Sequence, residues 1–171
     1  MCIRDRPGTD RCFGDDLPQY LVDFDADAAG NVALVGRTYS AIDFGRGPIS
    51  CGGPPGFTDG FLARFDGSGA NTHASSHHGL RSVALRAGGL VLLTRDGFVS
   101  LDANSDPTGA FIPEMSPADA APPFFLTRPD ASGGIFAIGS IGGSWAVDFG
   151  GGPLSNSHPH QTSMLARVVL P

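Results

Sequence analysis

A passage that occurs twice constrains this chain more than anything else in it. Asp27-Ala28-Ala29-Gly30, a short apolar run, Gly36, Asp43-Phe44-Gly45, Gly47-Pro48 and Leu62-Ala63-Arg64 return in the same order as Asp130-Ala131-Ser132-Gly133, Gly139, Asp148-Phe149-Gly150, Gly152-Pro153 and Leu165-Ala166-Arg167. Ordered self-similarity marks a repeat architecture, in which each unit buries its apolar face only against a neighbour. With 25 glycines and 14 prolines among 171 residues, no window is long enough for an amphipathic helix, and short strands joined by turns are favoured.

Each unit reads as up to four strands, a to d. In the first these are 19–24, 32–37, 60–65 and 70–75. Strand b, Val32-Ala33-Leu34-Val35-Gly36, is apolar on both faces, as expected of a sheet packed between two others. A degenerate middle copy places strands at 83–85, 90–94 and 98–101, with Arg95-Asp96-Gly97 as a tight turn where the first unit carries its Asp-Phe-Gly loop, and Asp96-Gly97-Phe98 echoes Asp59-Gly60-Phe61. The third unit offers 124–127, 135–140 and 164–170. Units therefore span about 19–76, 81–112 and 124–171, and the expected core holds Val32, Leu34, Val35, Phe44, Phe61, Phe65, Leu90, Leu92, Ile135, Ile138, Phe149 and Leu165.

The Asp-Ala-Ala-Gly-Asn turn, the Asp43-Phe44-Gly45-Arg46-Gly47-Pro48 loop and the Asp59-Gly60-Phe61-Leu62-Ala63-Arg64 strand resemble the bacterial seven-bladed β-propeller repeat family. The resemblance implies an all-β, partial propeller of about three blades forming an open arc, an extracytoplasmic setting (secreted or at the cell surface), and a binding or scaffolding role without enzymatic chemistry. It implies no catalytic residues. The alternatives are part of a propeller lyase or hydrolase and a carbohydrate-binding propeller, for which Trp145, Tyr20 and Tyr39 are the available platforms. A protein or glycan is the expected partner.

The motif positions follow from turn chemistry. Asp43 and Asp148 are placed to accept a backbone N–H two residues on, Gly45 and Gly150 permit positive φ, and Pro48 and Pro153 fix φ where the chain re-enters the sheet. Phe44 and Phe149 are expected to wedge the loop between blades.

The ends carry separate expectations. Residues 1–6, Met-Cys-Ile-Arg-Asp-Arg, resemble the translation of a sequencing-library adapter and are set aside from 7–171, so the chain reads as a piece whose N-terminal blades are missing. Strand d of the third unit has no residues left before Pro171. Setting residues 1–6 aside leaves Cys12 and Cys51, a pair able to bridge in an oxidising compartment or simply to sit in Gly-rich loops.

Composition and spacing exclude more than they assign. A formal net charge of −6, with 11 arginines and no lysine or arginine cluster, gives no footprint for nucleic acid, and no run approaches a membrane span. The missing lysine also excludes a kinase reading of Asp-Phe-Gly. Asp23, Asp25 and Asp27, and Asp102, Asn104 and Asp106, share the opening spacing of calcium loops, but Ala28 and Leu34, then Pro107 and Pro113, stand where such a loop needs Gly and Glu. Structural calcium is the alternative to plain turns, and no other cofactor is expected. His73, His77, His78, His158 and His160 lie on loops or strand ends without metal-ligand spacing, and no nucleophile-elbow sequence accompanies the serines.

Overall fold

The computed structural model describes residues 2–4, 10–14, 17–50, 59–116, 124–130, 132, 134–141, 146–149, 152–155 and 162–169. Those residues form antiparallel sheets and no helix. The chain divides into two compact bodies, Met1–Arg81 and Ser82–Pro171.

In the first body, β1 (Cys2–Arg4) pairs with β2 (Asp10–Cys12), so residues set aside as an adapter are ordered as one strand of a short ladder. The main sheet follows as β3 (Gln19–Ala26) and β4 (Val32–Thr38), then a small hairpin of β5 (Ile42–Asp43) and β6 (Pro48–Ile49), and then β7 (Asp59–Phe65) and β8 (Asn71–His77). Its order is β3-β4-β7-β8, the simple up-and-down succession expected of strands a to d, with the Asp-Phe-Gly loop inserted between b and c as its own hairpin.

The second body begins with a four-stranded sheet of β9 (Ser82–Arg86), β10 (Gly89–Leu93), β11 (Phe98–Asp102) and β12 (Pro107–Phe111). β13 (Glu114–Ser116) leads to β14 (Phe124–Pro129) and β15 (Ile135–Ile141). β16 (Ala146–Asp148) and β17 (Pro153–Ser155) form the second inserted hairpin, to which β13 adds a third strand, and β18 (Thr162–Val168) completes the three-stranded sheet β14-β15-β18.

One cross-strand pair recurs in the sheets β3-β4-β7-β8, β9-β10-β11-β12 and β14-β15-β18, the first, second and third main sheets. Five residues after Gly30, Gly88 and Gly133, strand b places Val35 opposite Leu62, Leu93 opposite Phe98 and Ile138 opposite Leu165. The same alignment holds from the other end, because Leu62 and Phe98 each precede a turn aspartate, Asp66 and Asp102, by four residues. Phe98 is therefore the counterpart of Leu62, and the apparent echo of Asp59-Gly60-Phe61 in Asp96-Gly97-Phe98 is one residue out of register. A one-residue slip exchanges faces. Phe61 accordingly packs with the inserted Phe44, at 5.1 Å between ring centroids, whereas Phe98 meets Phe124 of the third sheet at 5.6 Å.

The core of the second body lies between its two sheets. Ala84, Val91, Leu93 and Phe98 of the second sheet pack with Phe124, Ile135, Ala137 and Val168 of the third, and Val147 of the inserted hairpin joins them. Phe149 stacks on Phe111 of one sheet at 6.3 Å and meets Phe124 of the other at 5.3 Å. A buried hydroxyl pair adds direction to this apolar contact. The Thr127 backbone N–H donates to Ser82 Oγ at 2.9 Å, and Thr127 Oγ1 donates to the same oxygen at 3.0 Å. In the first body Phe44 is buried among Phe13, Phe61 and Phe65, with Leu34, Ile42 and Ala63 around them. Gly36 recurs for a steric reason visible here, since a Cβ would collide with the Phe61 ring and the Tyr20 carbonyl.

Burial follows the expectation except at one edge. Leu34, Val35, Phe44, Phe61, Phe65, Leu90, Leu92 and Ile135 are buried, while Val32, Ile138 and Phe149 are partly so. Leu165, expected in the core, is 65% exposed, although its counterpart Leu62 is fully buried. The face of the third sheet that carries Leu165 and Phe136 is the one turned away from the second sheet, whereas Ile135 and Ala137 on the other face are covered. Leu34→Ala or Leu92→Ala should cost about 2–5 kcal/mol in denaturant unfolding, and Leu165→Ala no more than about 0.5 kcal/mol. Ser82→Ala should cost about 1–3 kcal/mol, because it strips the buried Thr127 N–H of its acceptor.

Candidate functional site

Among the described residues, six aspartates close turns with their side chains. Oδ1 of Asp27 accepts from the N–H groups of Ala29 (2.9 Å) and Asn31 (3.0 Å), that of Asp66 from Ser68 and Ala70, and that of Asp102 from Asn104 and Asp106. Asp130 accepts in the same way from Ser132 and Gly134, and Asp43 from Gly45 (2.7 Å) and Gly47 (3.0 Å), while Asp148 accepts from Gly152. One carboxylate oxygen thus satisfies the donors at i+2 and i+4 that a tight reversal leaves unpaired.

This geometry locates the residues singled out as calcium candidates. Asp23 and Asp25 lie on β3, opposite Val35 and Ala33, and Asp27 lies beyond the strand in the turn. The run is therefore a strand entering a reversal. Asp25 Oδ1 accepts from the Ala26 N–H, and Asp27 Oδ2 accepts from Asn31 Nδ2 at 2.7 Å. Asp102, Asn104 and Asp106 occupy the equivalent c–d turn, where the side chain of Asp102 receives the backbone of the other two. Among the described residues no group of three or more His, Cys, Asp or Glu converges on one point.

The loop residues of the two inserted hairpins fall as follows. Gly45 and Gly47 have φ of 99° and 100°, and Pro48 and Pro153 open the return strands of the two inserted hairpins. Gly150 lies outside the described residues, as do Cys51, Trp145, His158 and His160. The proposed Cys12–Cys51 bridge therefore also falls outside them, although the register sets the backbone of Cys12 opposite that of Cys2. Tyr20 and Tyr39 form an exposed edge-to-face pair with centroids 6.5 Å apart.

Two arrangements in the first body were not foreseen. On β8, Ser75 Oγ lies 2.8 Å from His73 Nε2 and 3.0 Å from His77 Nε2, a ladder along one face of the strand. Arg64 stands opposite His73 in the neighbouring strand. Burial, and then the charge of His73, hold the His77 imidazole below its ordinary value. Beside this strand, the inserted hairpin and β8 border an open cleft of about 310 Å³ lined by Arg46, Gly47, Pro48, Ile49, Thr72, His73 and Ala74, with Arg46 exposed. Arg46 Nη1 donates to the Thr72 carbonyl across it.

A sequence signal for this region does exist. The third unit has Gly151 where the first has Arg46, and the second has Gly109 where the first has His73, each at the same place in the repeat. Polar residues that break a repeat are not needed to build it.

Charge makes the turns acid-sensitive. Asp27 is held below the usual carboxylate range by the Asn31 side chain, Asp66 by the Ser68 hydroxyl, and Asp130 by the Arg167 guanidinium. A carboxylate whose folded value is depressed stabilises the fold above its ordinary pKa, near 4, and loses that contribution as pH falls through the folded value. His77 acts in a separate window. Its depressed value means that the unfolded chain takes up the proton first, so stability falls as pH drops below about 6.5. Melting temperature should therefore decline in two steps on acidification, and His77→Gln should remove the upper step alone.

No family model and no curated protein matches the chain. Among solved structures, the crystal structure of the extracellular domain of a putative hybrid two-component system from B. thetaiotaomicron aligns with it at 10% identity and a TM-score of 0.35. The alignment covers 78% of this chain and 20% of that one, so the chain spans about a fifth of the length of the structure it is compared with.

Proposed function

We propose that the three sheets are blade units of a bacterial β-propeller that works outside the cytoplasm as a binding or scaffolding module. The observation that supports this reading best is the recurrence of one up-and-down strand order, with the same b–c cross-strand pair, in three successive sheets, together with the face-to-face packing of the second sheet on the third. Blades of a propeller bury both faces against neighbours. The exposed Phe136 and Leu165 then mark the face on which a further blade would sit. In this role the inserted hairpins serve as wedges, and recognition falls to residues that depart from the repeat. Among the described residues there is no helix long and apolar enough to cross a membrane.

Light scattering of the full chain tests the reading. The wild-type chain should self-associate through its uncovered apolar face, and Leu165→Glu should reduce the association without lowering the melting temperature. A thermally cooperative monomer of the wild type would overturn the blade assignment.

One observation favours a second reading. Ser75 between two imidazoles has the parts of a nucleophile beside a base, which suits a hydrolase built on the same fold. Turnover of chromogenic acyl esters that disappears in Ser75→Ala would select it, and turnover unchanged in that variant would remove it.

A further inference from the structure

We propose that the cleft between the inserted hairpin β5–β6 and strand β8 is a binding site for a compact carboxylate, anchored by Arg46. The proposal does not depend on the propeller reading, because the cleft lies wholly within one sheet and its own hairpin.

The hairpin holds Arg46 in place before any ligand arrives. Asp43 Oδ1 binds the N–H groups on either side of it, those of Gly45 and Gly47, so the tip of the hairpin is closed around a fixed oxygen. The side chain then crosses to β8, where Nη1 donates to the Thr72 carbonyl. On the β8 side the chain is fixed as well, since Asn71 Nδ2 donates to the carbonyls of Arg64 and His73, both at 3.0 Å. A guanidinium restrained at both ends loses little freedom on binding.

What remains of that guanidinium defines the ligand. Spending Nη1 on Thr72 leaves the edge formed by Nε–H and Nη2–H, whose two parallel donors match the two oxygens of a carboxylate. Among the described residues Arg46 meets no carboxylate, although the chain carries 17 acidic side chains against 11 arginines. The cleft is of amino-acid or monosaccharide size, at the lower end of the range for small-molecule sites. Its walls combine the apolar Pro48, Ile49 and Ala74 with the polar Thr72 and His73. A short apolar or ring body fits such walls once the acid group is held.

The repeat supplies an internal control. If Arg46 served the inserted hairpin itself, the second copy would need its equivalent, yet Gly151 stands there and the hairpin β16–β17 still forms. His73 is likewise replaced by Gly109, which pairs opposite Ser100 as His73 pairs opposite Arg64. Both departures fall on one cleft.

Two carboxylates of different origin, galacturonate and glutarate, are titrated into the full chain at low salt, each beside a neutral counterpart, galactose and glutaramide. At least one acid should bind saturably, one per chain, while its neutral counterpart does not. Binding of galacturonate alone identifies a sugar acid, of glutarate alone an acyl acid, and of both a site that reads the carboxylate only. Arg46→Ala and Arg46→Lys should each weaken binding by about ten- to a hundredfold, since lysine keeps the charge but not the paired donors. Arg95→Ala, an exposed arginine in the turn of the second sheet, should leave it unchanged. Melting curves like the wild type in both Arg46 variants would show that the loss is local, and if Arg46→Ala fails to fold, Arg46→Lys carries the comparison. No saturation by either acid below about 10 mM, near the weak end of specific affinity, would overturn the proposal. So would equal binding of acid and neutral counterpart, or unchanged affinity in a folded Arg46 variant.

Discussion

A strand that is apolar on both faces cannot be satisfied within its own sheet, and this requirement governs the rest of the molecule. β10 is buried along its whole length, with Leu90 and Leu92 on one face and Val91 and Leu93 on the other. The second of these faces packs against Ile135 and Ala137 of the third sheet, with Phe98 and Phe124 closing the contact. Burying a large apolar side chain is worth about 1.5–3 kcal/mol, so a face of several such residues outweighs any single turn or hydrogen bond. The aspartate-closed turns do something different. They hold the strand ends so that the alternation of faces, and hence the choice of neighbour, is not lost by a slip.

The inserted hairpins follow from the same demand. Phe44 and Phe149 come from the same Asp-Phe-Gly motif and both enter aromatic clusters, but the company differs. Phe149 touches Phe111 and Phe124 from two sheets, while Phe44 sits among Phe13, Phe61 and Phe65. Where the insert is missing, between β10 and β11, the turn closes through Thr94 and Gly97, and strand c has no Phe on the face that an insert would cover. Loss of the loop and the one-residue shift of the aromatic in strand c are two parts of one change.

Strand positions, their order and the turn chemistry were legible because each depends on local sequence. Gly before strand b, Asp at the reversals and Pro at re-entry act over a few residues, and the strands they bound match the expected spans to within about two residues at each end. The burial of Leu165 was not legible. Sequence repetition makes Leu62 and Leu165 equivalent, and nothing local in the sequence separates the buried one from the exposed one. The Phe61 and Phe98 alignment failed for a related reason, since a matching tripeptide carries less information than the register counted from both flanking turns.

The polar residues of the first sheet show how repetition can expose function without conservation across species. A repeat is its own alignment, and what its first and third units share is what their common architecture needs. Asp27, Asp130, Gly36, Gly139, Phe44 and Phe149 are kept, and the structure gives each aspartate and phenylalanine a turn or a cluster to hold. Arg46, His73, Ser75 and His77 are not kept, yet they fall on one strand and the hairpin beside it. Random surface drift has no reason to gather its polar changes there. The inserted hairpin forms with glycine in place of Arg46, and strand d pairs with glycine in place of His73, so neither residue is required by the element that carries it.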